Sequence, residues 1–66
     1  HIASGVILSG SVEIGENTLL DDGVIVTKDR KIGSNCIIGA GSVVTKNIPD
    51  NKIAYGIPCK IIRDNS

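Results

Sequence analysis

Written in sixes from Ile2, the chain places Ile2, Leu8, Ile14, Leu20, Val26, Ile32, Ile38 and Val44 in one column, an aliphatic residue in every hexad. With aliphatics at about a third of positions, such a register arises by chance on the order of once in a thousand, all six frames allowed. A period of six fits neither an amphipathic helix, which repeats every 3.6 residues, nor a long alternating strand. It fits short strands, each followed by a turn, wound three to a coil of about 18 residues. The expected fold is therefore all-β: a parallel β-helix shaped as a three-sided prism, each strand stacked about 4.8 Å from its counterpart one coil later.

Composition supports thin layers over one bulky centre. The 66 residues include no Trp, Phe or Met and a single Tyr, whereas Ile, Val and Leu fill 21 positions alongside 8 Gly. A conventional domain of this size buries only about 60% of its unfolded surface and needs large side chains to do it. The column after the aliphatic reads Ala3, Ser9, Gly15, Asp21, Thr27, Gly33, Gly39 and Thr45, mostly small residues, as expected where the backbone turns sharply. The column four past the aliphatic is β-branched or small except at Arg30. A buried guanidinium is costly, so a local bulge turning Arg30 outward is expected there.

The hexads assign residues 1–48 to β-helix coils. The period stops at Pro49-Asp50-Asn51 and Tyr55-Gly56-Ile57-Pro58 makes a second break, so residues 49–66 read as a loop and tail folding back on the last coil. The chain begins at His1, and the open edge of a short prism exposes unpaired backbone groups; both suit a segment preceded by further coils.

Residues 18 apart share a face. Outward positions therefore stack as Ile7, Ile25 and Val43; as Leu19 and Ile37 under His1; and as Glu13 with Lys31. Two stacks are apolar, which points to burial against other copies, most simply in a homotrimer. Residues 1–27 carry four acids and no base, while residues 28–66 carry seven bases against three acids. That imbalance suits a phosphorylated small ligand and is too weak for nucleic acid. No apolar run approaches the roughly 18 residues that span a bilayer, and no signal peptide opens the chain. Cys36 and Cys59 stand apart from any ligand-spaced pair, so a cytoplasmic protein with reduced thiols and no metal is expected.

The hexads, the run Ile38-Gly39-Ala40-Gly41-Ser42-Val43-Val44-Thr45-Lys46 and the tail Gly56-Ile57-Pro58-Cys59-Lys60 together resemble the hexapeptide-repeat acyltransferases. The resemblance implies a left-handed β-helix working as a trimer, with acetyl-CoA bound between neighbouring prisms. Residues 1–15 resemble the branch that acetylates nucleotide-activated amino sugars or sialic acids. In that branch a His at the place of His1 lies beside the acetyl thioester, and the amide at the place of Gly10 points at its carbonyl oxygen, where it would stabilise an oxyanion. The branch's general base is a different His about nine residues before the place of His1.

The resemblance also runs coenzyme A along a turn column, here Asp22 and Ala40, stacked with Ser4. The column from Gly10 continues through Lys28 and Lys46, with Lys60 and Arg63 following in the tail; these bases are candidates for the coenzyme's phosphates. Cys59 stands where the family usually has Ala, and Cys36 falls in the inward column as a core residue. The expected function is transfer of an acetyl group from acetyl-CoA to the amine or hydroxyl of a sugar. The alternatives are a related acetyltransferase acting on serine, a simple sugar or an antibiotic, and a non-catalytic trimerising β-helix. A zinc hydratase on this scaffold needs three His ligands and the chain has one.

Overall fold

The computed structural model describes all 66 residues. Every regular element is a strand: β1 Ile7–Leu8, β2 Glu13–Ile14, β3 Leu19–Leu20, β4 Ile25–Val26, β5 Lys31–Ile32, β6 Ile37–Ile38, β7 Val43–Val44, β8 Lys52–Gly56 and β9 Cys59–Asp64. Successive strands go to successive sides of a triangular prism. Side one is β1-β4-β7, side two is β2-β5, and side three is β3-β6-β8-β9. All pairings are parallel except β8 with β9.

The aliphatic column forms the core. Leu20, Val26, Ile32, Ile38 and Val44 are fully enclosed, joined by Val24, Cys36, Ile48, Ala54 and Cys59. Each buried Leu, Ile or Val side chain among them contributes roughly 1.5–3 kcal/mol. Toward the N-terminal end the column opens, with Leu8 40% and Ile2 52% exposed. The other end is closed by the β8–β9 hairpin, where the Gly56 amide donates to Ser42 Oγ and Cys59 is buried.

The corners explain the period. Gly5, Ser11, Asn17, Gly23, Asp29, Asn35 and Gly41, six residues apart, all have φ between 57° and 72°. Glycine, Asn and Asp tolerate this left-handed conformation best, and here they hold six of the seven positions. The sharp bend thus falls two residues after the small column, not on it. The small column answers to a different constraint, close stacking of coils: a Cβ on Gly15 would lie 2.5 Å from Ser34, and one on Gly33 2.6 Å from the Asp50 nitrogen.

Arg30 causes no bulge. The ladder passes it in register, Val26 pairing with Val44 and Glu13 with Lys31. The irregularity lies one coil below. Ile32 bridges Ile48, and Ile37 pairs with Ile53, so the offset between coils drops from 18 residues to 16 and the corner at residues 45–47 is two residues short. The parallel ladder also runs past Ile48: residues 52–54 complete side three of the third coil, and only the strand after Pro58 leaves the prism. The tail therefore begins later than the hexad count implied, because one contracted hexad hides the continuing coil.

Candidate functional site

The prism has three edges: residues 3–6, 21–24 and 39–42 between sides three and one; residues 9–12, 27–30 and 45–47 between sides one and two; and residues 15–18, 33–36 and 49–51 between sides two and three. Gly10, Lys28 and Lys46 stack along the edge between sides one and two, and Asp22 and Ala40 stack with Ser4 on the edge between sides three and one. The candidates therefore flank side one from both edges.

The state of the backbone amides separates these positions. At the second position of the corners, Ser4 N–H donates to Asp22 Oδ1, Asp22 N–H to Asp21 Oδ1, Glu16 N–H to Ser34 Oγ and Ser34 N–H to Asp50 Oδ1. The amides of Gly10, Lys28, Lys46 and Ala40 donate to no group of the chain. Gly10 also has open space around it: a Cβ there would meet nothing within 4 Å, and its φ lies outside the left-handed region. Nothing in the chain's own packing requires glycine at position 10, in contrast to Gly15 and Gly33. A free amide without a side chain is what the close approach of an external acceptor atom needs.

Lys46 and Lys60 come together. They line a cleft of about 330 Å³ with Thr45, Asn47, Pro58 and Cys59, between the contracted corner and the start of β9. Both lysines are exposed and neither makes a salt bridge. Arg63 lies farther along β9, opposite Ile53. Beneath the cleft, burial pushes the Cys59 thiol up from its ordinary value, partly offset by a hydrogen bond with Ser42. Cys36 is a core residue, its Sγ 3.1 Å from the Pro49 carbonyl.

His1 is not near Gly10. Its carbonyl accepts from Leu20 N–H and its terminal amine donates to the Thr18 carbonyl at 2.7 Å, which puts it on side three. Side three is opposite the edge that carries Gly10. Within one chain the core separates the two residues.

Arg30 and Asn47 are the participants sequence reasoning missed. In the upper coil Asp29 N–H donates to the Gly10 carbonyl; one coil down the contraction removes the matching donor for the Lys28 carbonyl. Arg30 Nε takes that place at 3.1 Å, and its Nη1 reaches the Thr45 carbonyl at 3.4 Å. Lys31 N–H donates to Asn47 Oδ1 at 2.9 Å. Arg30 is half-buried because its side chain lies along the backbone to patch the missing stretch. The available signal was Arg30 itself, read together with the loss of period after Val44.

No three or more His, Cys, Asp or Glu side chains cluster to hold a metal ion. No helix is long and apolar enough to cross a membrane.

Residues 11–46 match the family model for the bacterial transferase hexapeptide (six repeats), more than half of the chain. The chain belongs to the hexapeptide-repeat transferase family, and its fold is the left-handed parallel β-helix of that family. Among solved structures it is similar to PerB of Caulobacter crescentus, in complex with CoA and GDP-perosamine: 38% identity over 96% of this chain and 30% of that one, TM-score 0.94. It is similar to the acetyltransferase domain of PglB from Neisseria gonorrhoeae, in complex with acetyl coenzyme A, at 35% identity over 94% of this chain and 30% of that one, TM-score 0.92. A maltose O-acetyltransferase from Clostridium difficile 630 is 51% identical over 83% of this chain and 29% of its own length, TM-score 0.81. A search of curated proteins returned no match. The chain spans about 30% of the length of the solved structures it matches.

Proposed function

We propose that these coils form the donor-side part of an acetyl-CoA-dependent acetyltransferase whose acceptor is a nucleotide-activated amino sugar. The observation that carries the proposal is Gly10: an amide that no group of the chain accepts, with open space where a side chain would stand, on the prism edge that also presents Lys28 and Lys46. An amide so placed donates to the carbonyl oxygen of a thioester and gains strength as negative charge develops on it during attack by the acceptor. The free amides of Lys28, Lys46 and Ala40 and the Lys46–Lys60 cleft suit the polar and phosphorylated remainder of coenzyme A. Asp22 contributes its position in the stack rather than its amide, which Asp21 already engages.

The amino-sugar acceptor is supported by the likeness to PerB, solved with GDP-perosamine, over nearly the whole chain, and the acetyl-CoA donor by the likeness to the acetyltransferase domain of PglB. The maltose enzyme is more identical over a shorter stretch, so a simple sugar acceptor is the second reading. The homotrimer is supported by the outward apolar stacks of sides one and three, against the ion-paired face of side two, where Glu13 and Lys31 stand 4.0 Å apart and largely exposed. His1 and Gly10 can meet one thioester only if they come from different copies. Two unpaired thiols, Cys36 and Cys59, suit the reducing cytoplasm.

The test is turnover of the full-length protein carrying Gly10→Pro or Gly10→Ala, after confirming the oligomeric state of each. Proline removes a donor the fold does not use, and kcat is expected to fall by about 10²–10³. Alanine keeps the donor but fills the approach space, and is expected to weaken acetyl-CoA binding instead. Wild-type turnover by a well-assembled Gly10→Pro variant would refute the assignment.

A further inference from the structure

The corner at residues 45–47 is the one place where the prism abandons its six-residue step, and one wall of the Lys46–Lys60 cleft is that corner. Contraction by two residues costs the backbone two partners, at the Lys28 carbonyl and the Lys31 amide. Both are replaced by side chains. Arg30 bridges from the Lys28 carbonyl of the coil above to the Thr45 carbonyl of the contracted corner, and Asn47 Oδ1 accepts from Lys31 N–H. Lys46 lies between these two attachments, on the side of the corner that faces Pro58, Cys59 and Lys60.

We propose that Arg30 is a positioning residue for the donor's phosphate: by holding the short corner down against the coil above, it fixes the backbone that presents Lys46 across the cleft from Lys60. Arg30 is not among the residues lining the cleft, and both of its recorded donations go to carbonyls of the chain. Its effect on binding therefore passes through Lys46. A guanidinium suits this task because its planar fork spans two acceptors at once, which an ammonium cannot do with the same rigidity. Asn47 completes the clamp from side two, and its loss is expected to act in the same direction. The inference rests on reading Lys46 and Lys60 as phosphate ligands.

The experiment uses the full-length protein, with oligomeric state checked for every variant. Acetyl-CoA binding by calorimetry and turnover with acetyl-CoA are compared with turnover of acetyl-pantetheine, a donor without phosphates. Arg30→Met is expected to weaken acetyl-CoA about tenfold, raising KM with kcat unchanged, and to leave acetyl-pantetheine turnover unaltered. Arg30→Lys, which keeps one donor, is expected to fall between. In a Lys46→Ala background, Arg30→Met is expected to add nothing. Should Arg30→Met assemble poorly, Arg30→Lys, also outside the cleft lining, reads the same clamp. Wild-type affinity in whichever variant assembles would overturn the proposal, as would an equal loss with acetyl-pantetheine or an additive loss in the Lys46→Ala background, both signs of a merely structural role. Wild-type affinity in Lys46→Ala would remove the phosphate cleft and this inference together, while absence of acetyl-CoA binding by the unsubstituted protein would remove the acetyltransferase reading itself.

Discussion

Thr18 is buried in an aliphatic prism, and its hydroxyl has two partners: Oγ1 donates to the Gly33 carbonyl at 2.6 Å and accepts from Cys36 N–H at 3.1 Å. Replacing it with Val keeps the shape and deletes both bonds. An unmatched buried N–H costs about 1–3 kcal/mol. Part of that is recoverable, because the corner between sides three and one solves the same problem differently: Ser42 N–H donates to the Gly39 carbonyl three residues back at 3.3 Å, and Cys36 N–H can turn to Gly33 in the same way. The expected cost of Thr18→Val is therefore about 1–2 kcal/mol, read as a lower urea midpoint at unchanged slope. Thr18→Ser keeps the hydroxyl and loses one enclosed methyl, about 1 kcal/mol. The two are separated by hydrogen exchange at the Cys36 amide, which Thr18→Val is expected to speed by about 5–30-fold beyond any change shared by neighbouring core amides, and Thr18→Ser is not. Wild-type exchange at Cys36 in Thr18→Val, with an unshifted midpoint, would refute the view that the hydroxyl substitutes for a backbone turn.

Two further expectations follow from packing and burial. Gly33→Ala forces a Cβ to within 2.6 Å of the Asp50 nitrogen and 2.8 Å of its Cα, backbone that cannot rotate away, so a loss of about 1–3 kcal/mol is expected in chemical denaturation, where Gly10→Ala costs almost nothing; equal midpoints for the two would contradict the assigned stacking. The Cys59 thiol is raised chiefly by burial, so the folded state favours the neutral form: its contribution is complete below the unfolded thiol's pKa and is lost as pH rises through the folded value. Cys59→Ala is expected to flatten the decline in urea midpoint as pH rises above the ordinary thiol value of about 8.5, and an unchanged decline would exclude Cys59 as its source.

The aliphatic column was sufficient to read the prism, because one residue type repeats wherever the chain points inward, and burial of Leu20, Val26, Ile32, Ile38 and Val44 follows the hexads. The outward stacks were legible for the same reason, and Ile7–Ile25–Val43 and Glu13–Lys31 pair in the register that spacing implies. The contraction was not legible. A hexad short by two residues looks in sequence like the end of the repeat, and only the ladder shows Ile48 taking the aliphatic place opposite Ile32. Arg30 stands out in the sequence as an anomaly, but a lone strand gives no means of telling an extra residue here from missing ones a coil away. The left-handed column is present as Gly, Asn and Asp at sixfold spacing, but Ser11 breaks it, and the small residues two columns earlier point to another position.

The candidate site divides along the same line. Residues that share an edge, Gly10 with Lys28 and Lys46, were legible from a spacing of 18; Lys60 meets Lys46 only because β9 turns back across the end of the prism. His1 stands on the opposite side, and no folding of a single triangular prism brings a side against the edge it faces, because the core lies between. A site that uses both must be completed by a second copy, and the apolar stacks on sides one and three are the surfaces such a copy would cover, leaving the exposed Glu13–Lys31 face to water. The proposed assembly would thus account for why one chain shows an edge with free amides and a lysine-lined cleft but no enclosed pocket between them: each prism would supply one wall, and its neighbour the other.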